Sequence, residues 1–329
     1  MFKNKKHTIP ENILKAATGI LACIFLIYSL STFERYDNLL LTFKKGGFFH
    51  WQSLFLVVLL IPLNWYLETV KWKILLKNVE QISLKTAFYS VLTGLTTGIF
   101  SPARLGEFAG RVLLLKPKNR KKASALWAVG SVTMTIAVCL FGIPALFVFI
   151  QSGREVNLLE NTTVTYYLTV VLFVVFFLTL LYFLLPFIGN FLSGKTFNHF
   201  SSTFNLLKKL SFKHLLSILN LSLLRYLVFC IQFWLMLYFF GVELSPWEAC
   251  VGIFTAYLFI TFLPSVFLTE AAVKSSVFLL ILSAFSDNSV AIISTSMLLW
   301  IINLAIPTLL GVLLLTKNEE KFSEQVKKM

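Results

Sequence analysis

The sequence predicts an all-α polytopic membrane protein with about six full spans plus two proline-broken re-entrant hairpins, or about eight spans in all. Three observations predict it. Hydrophobic residues make up 57% of the chain and aromatics 16%, and the mean hydropathy of +0.80 exceeds that of a soluble globular domain. Apolar stretches of the roughly 20 residues that a ~30 Å hydrocarbon core requires recur near 13–33, 51–70, 123–150, 163–188, 214–240 and 289–315. Lys and Arg gather between those stretches in an order that fixes their orientation.

The elements follow in sequence. Lys3, Lys5 and Lys6 precede 13–33 and hold the N-terminus in the cytoplasm. That stretch is too long for a signal peptide and lacks a small-x-small cleavage site, so it reads as a retained anchor. The second stretch returns to a cytoplasmic loop bearing Lys71, Lys73, Lys77 and Lys85. Region 84–115 holds apolar arms of about 12 to 17 residues, roughly 18 to 26 Å of helix, which is short of a span. If 84–100 crossed, the most basic loop (Lys116, Lys118, Arg120, Lys121, Lys122) would lie outside. A hairpin that enters and leaves on the cytoplasmic face removes the conflict. From there 123–150 exits, 163–188 returns to the loop with Lys195, Lys208, Lys209 and Lys213, and 214–240 exits to Glu243 and Glu248. Region 248–285 must start and end outside, because 289–315 delivers Lys317, Lys321, Lys327 and Lys328 to the cytoplasm. It is either a second hairpin or two short full spans. Pro102 and Pro264 lie 162 residues apart, about half the chain. That spacing suits an inverted repeat whose broken helices meet near the midplane, with simple packing kinks as the alternative. Residues 1–329 read as a single transmembrane domain with cytoplasmic tails 1–12 and 317–329.

The net charge of +14 resides in loops that orient the chain and attract anionic headgroups, so no nucleic-acid partner is expected. Cys23, Cys139, Cys230 and Cys250 lie in apolar segments without metal or disulfide spacing, and His7, His50, His199 and His214 are scattered. No metal, no cofactor and no complete catalytic constellation is expected. Gly189 to Thr196 matches a phosphate-loop pattern, but it follows a span rather than a strand and is read as fortuitous.

Charge within apolar segments costs about 2.5 to 3.5 kcal/mol per residue on insertion scales and usually marks a pathway. Arg104, Glu107 and Arg111 share one face if the segment is helical. Arginine's planar fork suits a phosphate, and Pro102 at the start of a half-helix would leave amide N–H groups free to face an anion. The alternative is an internal Arg–Glu–Arg network that ties the hairpin to its neighbours, and the functional reading is favoured because charge embedded in a membrane usually serves function. Gly94, Gly98, Gly106 and Gly110 recur at spacing four and favour close packing. After Pro264, Glu270 and Lys274 form a pair at helical spacing that neutralises itself or serves a coupling proton. Arg225 sits mid-span, with Glu107 or Glu270 as expected partner. Glu68, Lys71 and Lys73 read as snorkelling at the cytoplasmic interface, and Trp51, Trp65, Trp72, Trp127 and Trp247 as an interfacial belt.

The Pro-x-Arg-x-Gly-Glu run from Pro102 to Glu107, followed by Arg111, and Leu263-Pro264-Ser265 with Glu270 beyond it, resemble the transmembrane domain family of lysylphosphatidylglycerol synthase. The resemblance covers nearly the whole chain. It implies that Pro102, Arg104, Gly106, Glu107 and Arg111 form the family's first signature and that Glu270 is the acid of the second. The second signature's usual Pro-Gly-Gly run is absent between Pro264 and Glu270, and the lysine-transferring half is missing, so aminoacyl-lipid synthesis by this chain alone is not expected. What the resemblance implies is a flippase-like protein of a bacterial cytoplasmic membrane that handles an anionic lipid or lipid-linked headgroup. Arg104, Arg111 and the half-helix N-termini would hold its phosphate, with Arg225 assisting. The rival expectations are a membrane-embedded headgroup transferase using Glu107 or Glu270 as base, and a non-catalytic membrane subunit of a lipid-modifying complex. Expected partners are anionic membrane lipids, with a second copy or a lipid-modifying enzyme alongside.

Overall fold

A backbone in hydrocarbon has no water to bond, so it must satisfy its own polar groups, and every regular element among the described residues is helical. The computed structural model describes residues 50–98, 104–152, 161–192, 201–263 and 267–317. In chain order these form α1 (Trp51–Leu75, closed by a 3₁₀ turn Leu76–Asn78), α2 (Leu84–Gly98), α3 (Glu107–Leu113), α4 (Pro117–Gln151), α5 (Asn161–Phe183), α6 (Leu185–Leu192) and α7 (Ser201–Leu207). There follow α8 (Phe212–Phe239), α9 (Pro246–Phe262), α10 (Phe267–Leu282), α11 (Ser289–Trp300), a π-helical turn Ile301–Ala305, and α12 (Ile306–Lys317). Among the described residues four runs are long and apolar enough to cross a membrane: Trp51–Asn78, Pro117–Gln151, Phe212–Phe239 and Ser289–Leu313. The expected span at 163–188 falls on α5 and α6. The expected span at 13–33 lies outside the described residues, as do Pro102 and Pro264.

Local sequence sets the helix starts. Pro117 occupies the first turn of α4, where its missing N–H is harmless. At α9, Ser245 accepts from the Glu248 N–H while the Glu248 carboxylate accepts from the Ser245 N–H, a capping box completed by Pro246.

The two charged segments fold back on themselves as helical hairpins. In the first, α3 lies against α2 so closely that a Cβ on Gly110 would stand 2.8 Å from the Gly94 Cα, while one on Gly94 would stand 2.5 Å from the Arg111 Cγ. Only glycine permits that approach. Thr97 closes the turn by donating to the Gly106 carbonyl at 2.8 Å. The returning arm is shorter than the sequence predicts. At seven residues, about 10 Å of helix, α3 ends before Lys116, whose extended backbone (ψ 136°) leads into Pro117 as a residue before proline must.

The long helix α4 gives a common axis for both hairpins. Arg120, near its amino end, donates to the Leu113 and Leu115 carbonyls at 3.0 and 3.2 Å, and Trp127 packs on Phe108 at 5.9 Å. The second hairpin, α9 and α10, joins the other end: Phe149 packs on Phe285 at 5.8 Å, and Leu258 closes on Gly142. The hairpins therefore approach α4 from opposite ends, and Arg104 of the first and Thr261 and Lys274 of the second line one cavity with Ser131, Thr135 and Val138 from the middle of α4. Residues of α12 run along α2, where Thr96 donates to the Thr308 carbonyl at 3.1 Å.

One interfacial assignment fails. Trp72 is completely buried, roofed by the Arg111 guanidinium at 5.6 Å, because α1 continues inward past the point where the charges begin. Cys139 and Cys230 are buried as core hydrophobes, whereas Cys250 is exposed.

Candidate functional site

Charged residues on a buried helix must find partners on its neighbours. On α1 the residues Asn64, Glu68 and Lys71 follow at i, i+4 and i+7, which puts them on one face, and all three are buried. Glu68 is the hub. One carboxylate oxygen accepts from Lys71 Nζ at 2.9 Å and from Arg225 Nη1, and the other takes Arg111 Nη2 at 2.7 Å. Arg111 also binds Glu107 one turn earlier on α3. Lys71 reaches Ser222 at 3.4 Å, and Ser222 pairs with Thr133 at 2.6 Å. Three helices, α1, α3 and α8, thus bring cations to a single carboxylate. The charges line a cavity of about 150 Å³.

Arg225 also begins a relay of amides. Its Nε donates to Asn64 Oδ1 at 2.8 Å, Asn64 Nδ2 to Asn303 Oδ1 at 3.4 Å, Asn303 Nδ2 to Gln232 Oε1 at 3.2 Å, and Gln232 Nε2 to the Val57 carbonyl at 3.2 Å. Asn303 lies within the π-helical turn, the kind of bulge that often accompanies a functional site.

A second cavity, of about 330 Å³, adjoins the first. Arg225, Ser131 and Met134 line both. Its cationic walls are Arg104 from the first hairpin, Lys274 from the second and Arg225 from α8, and among the described residues no carboxylate lines it. Ser131, Thr135, Thr261 and Ser296 add hydroxyls, and Tyr257, Phe278 and Trp300 add aromatic surface. Lys274 is paired with Glu270 at 2.7 Å yet keeps 29% of its side chain exposed. Arg104 differs: its buried Nε and Nη2 have no hydrogen-bond partner. Its charge acts at longer range on both Glu107 and Glu270, linking the two hairpins.

Several site expectations change here. Arg104 does not share a helical face with Glu107 and Arg111. Its φ of 58° is left-handed, a region that costs a non-glycine residue about 1 to 2 kcal/mol, and the helix begins only at Glu107. The turn points Arg104 away from the Glu68 cluster and into the larger cavity. Arg225 pairs with Glu68 rather than with Glu107 or Glu270. Glu68 and Lys71 do not snorkel; both are only 3% exposed, because α3, α4 and α8 pack over the end of α1. Neither half-helix offers a free positive end, since Glu107 and Glu270 sit in the first turns of α3 and α10 and already oppose the dipole. Gly106 precedes α3 with φ −62°. Among the described residues no group of three His, Cys, Asp or Glu side chains is placed to hold a metal ion.

The model of the lysylphosphatidylglycerol synthase TM region matches residues 12–311, which include both hairpins and every residue lining the two cavities. The chain belongs to this family. No curated protein and no solved structure matches the chain. In this member of the lysylphosphatidylglycerol synthase TM family, the first signature contributes to both cavities, Arg104 to the larger and Glu107 and Arg111 to the smaller. The family and the apolar helices together make this a membrane protein related to lipid modification or flipping.

Proposed function

We propose that this protein translocates an anionic lipid or lipid-linked headgroup across the cytoplasmic membrane of a bacterium, with both termini in the cytoplasm. One observation carries the reading: the larger cavity sits where two hairpins from opposite ends of α4 converge, and among the described residues three cations and no carboxylate line it. In transporters built on broken helices, substrate sites lie at such a meeting point, near the bilayer midplane. Arg104, Arg225 and Lys274 hold the headgroup, and the acyl chains remain in lipid. Glu107, Arg111 and Glu68 position Arg225 and the first hairpin from behind. Glu270 orients Lys274 and is the group best placed to exchange a proton during the cycle. Rocking of one hairpin against the other then opens the site to each face in turn.

The test is leaflet exchange of fluorescent anionic and zwitterionic lipids in liposomes carrying the purified protein. Wild type is expected to exchange the anionic lipid, and Arg104→Ala to lose that exchange while still folding. Absence of exchange for every lipid, with and without a proton gradient, would refute the reading and favour the transferase or subunit alternatives.

A further inference from the structure

The charges around the two cavities do not cancel. Five cationic side chains, Arg104, Arg225, Lys274, Lys71 and Arg111, face three carboxylates, Glu68, Glu107 and Glu270, so the described residues hold two positive charges in excess. Leaving charge uncompensated away from water is costly. The excess is also localised, because the smaller cavity contains its own carboxylates and the larger has none on its wall among the described residues. Three cations reach the larger cavity from three separate elements: Arg104 from the turn before α3, Arg225 from α8 and Lys274 from α10. Two Arg104 nitrogens are buried without a partner.

We infer that the preferred ligand of the larger cavity is a terminal, doubly charged phosphate, that is, a phosphomonoester or diphosphate, rather than a phosphodiester. The inference rests on the site described under the proposed function and narrows its substrate class. A phosphodiester brings one negative charge and two free oxygens. A terminal phosphate carries about 1.5 to 2 negative charges at neutral pH and presents three acceptor oxygens, one for each cation on the wall. It neutralises the excess where a diester leaves half of it. The cavity of about 330 Å³ equals roughly eleven water volumes at ~30 Å³ each, so a diphosphate fits as well as a monophosphate. The same chemistry occurs in a lipid phosphate and in free phosphate or pyrophosphate.

The two sources separate in a binding experiment on the full chain in detergent micelles, read as the rise in Tm against ligand concentration. The probes are dioleoyl phosphatidic acid, dioleoyl phosphatidylglycerol, dioleoyl phosphatidylcholine, inorganic phosphate and pyrophosphate. Phosphatidic acid is expected to bind at least tenfold more tightly than phosphatidylglycerol, and phosphatidylcholine not measurably. Arg104→Ala and, independently, Lys274→Ala are expected to bring that ratio close to one. Lys73→Ala, at an exposed position on α1, is expected to leave it unchanged. Phosphatidylglycerol binding as tightly as phosphatidic acid, or no binding by any probe, overturns the inference; if Arg104-dependent exchange persists, the proposed function survives that failure. Pyrophosphate binding as tightly as the lipid phosphate supports the terminal-phosphate class but identifies a soluble ligand, and the lipid reading then fails instead.

Discussion

Replacing Glu68 by Gln removes the carboxylate at the centre of the buried charge cluster. The substitution preserves volume and removes the one negative charge shared by Lys71, Arg111 and Arg225. The three cations do not lose equally. Arg111 keeps Glu107 and Arg225 keeps Asn64, but Lys71 retains only the Ser222 hydroxyl at 3.4 Å. Breaking a buried pair from one side typically costs about 3 to 5 kcal/mol because the other charge stays buried, and the stranded ammonium of Lys71 puts Glu68→Gln in that range. Glu107→Gln strands nothing, since Arg111 still holds Glu68, and about 1.5 to 3 kcal/mol is expected from weakening the two charge-assisted bonds that Arg111 makes to one Glu107 oxygen. The assay is thermal unfolding of the purified protein in one detergent. Glu68→Gln should melt on the order of 10 °C below wild type, and Glu107→Gln only a few degrees below. Adding Lys71→Met to Glu68→Gln should recover a large part of the loss. Equal shifts for the two single variants, or no recovery in the double, would refute the claim that Glu68 is the hub.

Other outcomes follow from particular contacts. Arg104→Gly removes a left-handed arginine and two buried guanidinium nitrogens without partners, so stability should hold or rise by about 1 kcal/mol of relieved strain, while lipid exchange is lost. A melting temperature lowered by several degrees would mean that Arg104 is structural. Gly110→Ala places a methyl 2.8 Å from the Gly94 Cα; overpacking of that kind costs about 1 to 3 kcal/mol, and a Tm unchanged from wild type would show that α2 and α3 are not so tightly packed. Asn303→Ala interrupts the amide relay behind Arg225 and leaves Asn64 Nδ2 and Gln232 Oε1 unpaired, a loss of about 1 to 3 kcal/mol accompanied by weaker binding of anionic lipid. Unchanged binding would separate the relay from the site.

The membrane architecture was legible because hydrophobic length and loop charge are both written along the chain. The same patterns marked the two interrupted segments, and with them Arg104, Arg225, Glu270 and Lys274. Glu68 and Lys71 were missed for a local reason: they stand three residues apart beside Lys73 and Lys77, so along the chain they look like the end of a span. Only the packing of α3, α4 and α8 around that end makes it an interior. A signal was available in Asn64, Glu68 and Lys71, whose spacing sets three polar groups on one face of an apolar helix. The direction taken by Arg104 had no such signal, since a left-handed arginine is not a preference of its residue type.

The amide relay has an electrical consequence. Its first member, a guanidinium, can only donate, and its last, the Val57 carbonyl, can only accept, so the orientation of the three amides between them is fixed from both ends. Every carbonyl dipole therefore turns its negative end toward Arg225. A row of aligned dipoles screens a cation without supplying an anion. Added to the Glu68 carboxylate that pairs with Arg225 from the side of the smaller cavity, the row holds the guanidinium charged and oriented, so an arriving phosphate meets a positive group already in place.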